Sequence, residues 1–260
     1  MSPASLAPPK VEEEEIEILT EDEINIVLDK LVGHPLYEIA VVDLNTGMRR
    51  GELLALRLSD IDLDGATVRI ERPLEETKTG LRFKPPKTKH GKRKISLPPN
   101  AVAVLREHRR KLLETRMALG IGKPDADTLL FGELDGSPRR PDQLSWLWRS
   151  ACKSLKLPMV SFHALRHTHA SALIAAGLDV VVISRRLGHG SPHVTLRVYG
   201  HLFKRDDSTD GERNGSDNKN EVRTVTAVIR AFREQFVDNS PPFSNFAGAK
   251  SLKSGAGCRI

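Results

Sequence analysis

Three short clusters in this sequence hold side chains suited to a charged, oxygen-rich substrate. Thr46-Gly47-Met48-Arg49-Arg50-Gly51-Glu52-Leu53 sets two arginines between glycines where a helix should begin. His163-Ala164-Leu165-Arg166-His167 combines two histidines with an arginine, and Leu187-Gly188-His189 is followed ten residues later by Tyr199. Lys89 lies between the first cluster and the second. Guanidinium groups stay protonated and can bind two oxygens of an anion at once, where an ammonium is only a point charge. A phenol is a weak nucleophile, since its pKa is near ~10, unless its surroundings draw off the proton. Each cluster alone has an ordinary reading. An arginine pair at a helix start is commonly a surface feature. His163 and Arg166 share one helical face, where a histidine is usually satisfied by its neighbours. A tyrosine on an amphipathic helix is usually half-buried core.

The elements that must position these residues can be read from pattern. Thr20-Glu21-Asp22-Glu23 has the form of a capping box, and Ile24, Val27, Leu28 and Leu31 follow at helical spacing, so a helix starts near Thr20. A second apolar run, Leu36 to Leu44, leads to Thr46-Gly47, and a further helix is expected from about Arg50 to Leu58. Residues 66–98 change character: Thr67 to Ile70 alternates, Pro85-Pro86 interrupts Arg82 to Lys89, and Arg93 to Leu97 alternates again. This predicts a small antiparallel sheet with Lys87 to Lys94 as a basic hairpin tip. Helices are expected over 100–118, 141–156, 163–176, 179–187 and 191–202, with Gly177 and Gly188 placed to end two of them. Met1 to Lys10 reads as a linker. Asp206 to Asn220 has a flexible composition, Val222 to Phe236 fits one amphipathic helix, and the last two dozen residues have no pattern.

Charge is partitioned along the 260 residues. The net +6 divides into −7 over residues 1–24, +13 over 25–205 and zero over 206–260. Residues 143–205 hold nine Lys and Arg against one acid, Asp179. A surface this basic attracts a polyanion, with nucleic acid the simplest candidate, although a merely well-solvated surface fits the charge equally. No stretch approaches the ~20 apolar residues of a membrane span. Two cysteines, Cys152 and Cys258, cannot build a disulfide framework or a Cys-based zinc site, and a reducing, cytoplasmic setting is expected.

In this order and spacing the three clusters resemble the catalytic domain of the tyrosine recombinases, the phage integrase family, over about Ile16 to Phe203. The resemblance implies an α+β fold, mostly helical, with a small antiparallel β-sheet. It divides the chain into an acidic linker (1–15), a catalytic domain (16–205) and a polar tail (206–260). It also implies roles. Arg49 and Arg166 match the two catalytic arginines, His163 and His189 the family's active-site histidines, and Tyr199 the nucleophile. Lys89 is the choice for the hairpin lysine, with Lys87 close by, and Glu52 matches a supporting acidic position. The activity implied is site-specific cleavage and rejoining of DNA through a covalent 3′-phosphotyrosine, with the lysine protonating the departing 5′ oxygen, in integration or excision of a mobile element. The expected partner is double-stranded DNA, with a homo-tetramer assembled on it. No cofactor is expected, because the phosphotyrosine conserves the bond energy and the arginines do the work of a metal. The sequence has no Lys-Ser/Thr phosphate loop.

Other readings start from the same residues. His163 and His167, four apart, suggest zinc, but a zinc-hydrolase helix wants a Glu between its histidines and residues 143–178 contain no acid. Ala170 to Leu187 has the outline of a helix-turn-helix, with Ser184, Arg185 and Arg186 as groove readers. A type IB topoisomerase would share the chemistry. Family members usually carry an amino-terminal helical domain that closes a clamp on DNA, and here only Met1 to Lys10 precedes the match. Weak DNA affinity and impaired recombination, with cleavage retained, are therefore expected of this chain alone.

Overall fold

The computed structural model describes residues 16–84 and 91–203. The expectations for the linker, for Lys87 and Lys89, and for the tail with its helix over 222–236 lie outside these residues. The order of elements is α1 (Glu21–Leu31), α2 (Tyr37–Thr46), α3 (Arg50–Leu54), β1 (Ile61–Asp62), β2 (Thr67–Ile70), β3 (Leu74–Thr77), β4 (Gly80–Phe83), β5 (Arg93–Ser96), α4 (Pro99–Ala118), α5 (Pro141–Ser154), α6 (Ala164–Ala175), α7 (Val180–Leu187) and α8 (Pro192–Tyr199). Among the described residues no helix is long and apolar enough to cross a membrane.

Local chemistry accounts for most boundaries. The Glu23 amide donates to Thr20 Oγ1 at 3.3 Å and the Thr20 amide donates to Glu23 Oε2 at 2.8 Å, which closes the capping box of α1. Prolines at the first turns of α4, α5 and α8 cost nothing, since those amides have no helical partner. The run Leu36 to Leu44 shows no amphipathic stripe because α2 is buried nearly all round, with Ile39, Ala40, Val41, Val42 and Leu44 inside.

Two expectations need correction. The helix expected to reach Leu58 stops at Leu54. Beyond it the chain pairs with residues 128–130: the Leu130 amide donates to Leu56 O at 2.8 Å and the Leu58 amide to Thr128 O at 3.0 Å. A distant segment takes the backbone groups that further helix would need. Among the described residues the single sheet is in fact two, a three-stranded sheet in the order β1-β2-β5 and a separate β3–β4 hairpin, all antiparallel. Arg93 and Lys94 are thus not at a hairpin tip. They face Ile70 and Arg69 in the ladder of β5 with β2.

A large apolar core joins α1–α5 to the sheets through residues such as Leu31, Leu53, Ile70, Leu97 and Trp148, and a smaller one joins α6, α7 and α8 through Leu173, Ile183, Leu187 and Tyr199. Each fully buried side chain of this size contributes about 1.5–3 kcal/mol relative to exposure. Helix α2 packs on α6, and α7 packs on both α6 and α8. This brings the ends of α2 and α7 and the starts of α3 and α6 to one place.

Candidate active site

The two arginines are held by backbone carbonyls at helix ends. Helices α2 and α7 each end on a left-handed glycine, Gly47 (φ 60°) and Gly188 (φ 68°). Arg166, only 2% exposed, donates from Nη1 to Gly47 O and from Nη2 to Leu187 O at 2.8 Å. Arg49 donates from Nη2 to Gly188 O at 3.0 Å and from Nη1 to Glu52 Oε1 at 3.1 Å, with its side chain still 44% exposed. Carbonyls at helix C-termini carry partial negative charge, so they suit guanidinium groups. Burial, and then the nearby charge of Arg49, lowers Arg166 to about 10, which leaves it protonated at neutral pH.

The same guanidinium fixes the state of His189. Arg166 Nη2 lies 3.0 Å from His189 Nε2 and can only donate, so Nε2 is the acceptor. The ring's proton is then on Nδ1, 2.8 Å from Thr195 Oγ1 on α8. Burial and the charges of Arg166 and Arg49 bring His189 down to about 3, so it is neutral. Tyr199, at the end of α8 and 1% exposed, places its hydroxyl 2.8 Å from His167 Nδ1. Burial raises the phenol to about 12 against the pull of Arg166 and Arg49. His163 meets the edge of His167 with ring centroids 4.6 Å apart. Desolvation, with the charges of His167, Arg166, Arg49 and Arg50, holds His163 at about 4.

A second layer stands behind these groups. Glu52, 5% exposed, takes the Arg49 amide at 2.8 Å and binds both Nη atoms of Arg93 at 2.9 and 2.8 Å. Burial opposes its charge, but the bonds and charges of Arg93 and Arg49 outweigh this and bring it down to about 2. Arg93 also donates from Nε to Arg186 O at 2.7 Å, tying β5 to α7. Asp43 on α2 is buried with Oδ1 unpaired, and burial pushes its carboxyl well above the usual range, against the pull of Arg166.

Of the residues expected from sequence, Arg49, His163, Arg166, His189 and Tyr199 come together here, and Lys89 lies outside the described residues. His163, Arg49, Arg50, Ser145 and Arg149 line an adjoining cleft of about 500 Å³. Glu52 holds two arginines, as expected of a supporting acid. Sequence reading missed Arg93, Thr195 and the contact of His167 with Tyr199. Arg93 was legible only as one of many cations, and Thr195 only as one more polar residue of a helix. The helix-turn-helix reading loses two of its three groove readers, with Arg185 alone exposed. Ser184 is buried and Arg186 turns inward, donating to Asn45 O at 3.0 Å and Ser96 O at 3.2 Å, so neither can read a groove.

The fold is that of tyrosine recombinase catalytic domains. It superposes on a crystal structure of XerA recombinase with a TM-score of 0.54 at 21% identity, covering 93% of this chain and 69% of that one. For the Tn1549 transposon integrase in complex with transposon right end DNA, the TM-score is 0.61 at 21% identity, with 88% and 69% covered. Residues 17–206 match the Phage integrase family, and the chain belongs to that family. It is 29% identical over 203 residues to a XerC-like tyrosine recombinase of Caldanaerobacter subterraneus, covering 74% of this chain and 52% of the relative. It is also 33% identical over 175 residues to the ICEBs1 integrase of Bacillus subtilis, covering 67% and 46%. The chain spans about half the length of these curated relatives.

Proposed function

We propose that this chain carries the catalytic domain, residues 16–205, of a site-specific DNA recombinase that integrates or excises a mobile element, cutting and rejoining double-stranded DNA through Tyr199. One observation carries the reading: a tyrosine hydroxyl held at the end of α8 within the field of two guanidiniums, Arg166 and Arg49, which a neutral His189 joins. A phosphodiester repels nucleophiles by its charge, and its transition state gathers more charge on the nonbridging oxygens. Arg49 and Arg166 neutralise that charge, with His163 as a further hydrogen-bond partner and His189 holding the Arg166 guanidinium in place. Preorganised donors of this kind are worth about 3–4 kcal/mol each. The tyrosine oxygen attacks phosphorus, a 3′-phosphotyrosine forms and the 5′ oxygen leaves. Lys89, or Lys87 beside it, supplies the leaving group's proton. The bond energy stays in the phosphotyrosine, and attack by a 5′ hydroxyl from the partner duplex completes the exchange. A homo-tetramer on DNA supplies the partner site.

Nicked suicide duplexes tiling the DNA that flanks this chain's own coding sequence test the reading, because loss of the short cut strand traps the covalent step. A denaturing gel is expected to show a protein–DNA adduct that Tyr199→Phe abolishes while binding persists. An adduct that survives Tyr199→Phe refutes the assignment.

A further inference from the structure

The hydroxyl of Tyr199 is bonded to a histidine that the family motifs leave without a role. His167 Nδ1 lies 2.8 Å from Tyr199 Oη, and the two rings meet edge-on at 62° with centroids 5.7 Å apart. The other polar groups of the site are unsuited to take a proton from that phenol. Arg49 and Arg166 can only donate. His189 has Nε2 engaged by Arg166 and Nδ1 by Thr195. His163 meets the edge of the His167 ring and lines the cleft, and its own ring nitrogens make no bond to Tyr199 among the described residues.

We infer that His167 is the base for strand cleavage, an inference that rests on the reading of Tyr199 as nucleophile. As the bond from Tyr199 Oη to phosphorus forms and the bond from phosphorus to the 5′ oxygen breaks, the phenolic proton passes to His167 Nδ1. The departing 5′ oxygen takes its proton from the acid assigned to the hairpin lysine. Rejoining reverses both transfers, so no proton is gained or lost over a full exchange.

The surroundings of His167 keep the phenol protonated until a phosphate arrives. The charged and titratable groups facing the imidazole are Arg166 and His163 at the start of α6, Tyr199 from α8 and Glu17 ahead of α1. Burial and then Arg166 hold the imidazole at about 4, with Glu17 pulling the other way, so its neutral ring offers a lone pair at neutral pH. With the phenol raised to about 12, the proton stays on Tyr199 in the free protein. A phosphodiester beside Arg166 offsets the one charge that, after burial, depresses the imidazole, and the phenolic proton becomes strongly acidic only as its oxygen bonds to phosphorus. Transfer is thereby coupled to attack.

The test uses the full chain and the suicide duplexes described above, with His167→Asn and His167→Gln as variants whose folding is checked by thermal melting. Asn places an amide oxygen near the position of Nδ1, which keeps the hydrogen bond and removes the base. Wild-type adduct formation is expected to be flat with pH across neutrality, whereas both variants are about 100-fold slower at neutral pH and rise about tenfold per pH unit, because hydroxide must then remove the proton. A duplex with sulfur in place of the bridging 5′ oxygen, a leaving group that needs no acid, is expected not to restore the rate. Variants that match wild type, that are slowed equally at every pH, or that are rescued by sulfur overturn the inference while Tyr199→Phe still upholds the nucleophile. Loss of the Tyr199 dependence itself overturns both.

Discussion

Two buried acids lie within the field of Arg166 and behave in opposite ways. Glu52 is fully paired, so removing its charge leaves Arg93, itself only 7% exposed, without its partner. Glu52→Gln is expected to destabilise the fold by about 3–5 kcal/mol, read as a lower urea midpoint, the range for breaking a buried ion pair on one side. Asp43 has no such compensation. Its folded pKa lies above the unfolded value, so the unfolded chain gives up its proton first and stability falls as pH rises through that window. Asp43→Asn should therefore raise the urea midpoint at pH 7, and a lowered midpoint would show that the carboxyl is held by partners instead. The histidines act in the other direction. His163, His167 and His189 are held at about 4, 4 and 3 against an ordinary 6.5, so the unfolded chain binds protons that the folded chain does not. Their contribution is present above pH 6.5 and is lost progressively as pH falls from there to about 4 for His163 and His167 and about 3 for His189, and Glu52 adds a further loss below 4.5. The urea midpoint is expected to drop steadily on acidification from neutrality, and a midpoint that is level down to the carboxylate range would contradict neutral, buried imidazoles.

At the scale of elements, the site is built from helix ends. The left-handed turn at Gly47 ends α2 and points its carbonyl at Arg166, while the one at Gly188 ends α7 and points its carbonyl at Arg49. These glycines thus serve both chain geometry and charge. A Cβ on Gly47 would lie 2.5 Å from His169 Cδ2 and 3.0 Å from Leu187 Cδ2, on a backbone at φ +60° that L residues rarely adopt. Gly47→Ala is expected to cost about 1–2 kcal/mol for the backbone alone, with a further loss of about 1–3 kcal/mol from overpacking. Calorimetry should show the lower melting temperature, and adduct formation should fall with it because the carbonyl that holds Arg166 moves. Unchanged stability would mean that α2 and α7 can separate freely, against the packing of both on α6.

For the whole molecule, the partition of charge sets how it would meet the proposed DNA partner. The +13 over residues 25–205 includes many arginines consumed inside the fold, among them Arg93, Arg166 and Arg186. The cations left for a polyanion include Arg149, exposed on α5 at the rim of the cleft. Duplex affinity in a gel shift should fall linearly with the logarithm of salt concentration, with a slope set by the number of phosphates neutralised. Arg149→Ala is expected to lower that slope by about one while the melting temperature holds. An unaltered slope would place the DNA elsewhere.

What the sequence determined by itself was local and patterned. The capping box at Thr20, the helical spacing of Ile24 to Leu31, the glycine stops at Gly177 and Gly188, and the three clusters follow from chemistry within a few residues, so they could be read from the chain alone. The short α3 and the split of one sheet into two could not, because residues 128–130 and strand β2 supply the deciding hydrogen bonds from far along the chain. The same holds inside the site. Sequence named Arg49, His163, Arg166, His189 and Tyr199, but only the tertiary structure decided that Arg166 is buried on two carbonyls, that it sets the proton on His189, and that the phenol faces His167. Those choices depend on burial and on donors meeting acceptors across helix ends, and neither quantity exists until the chain has folded.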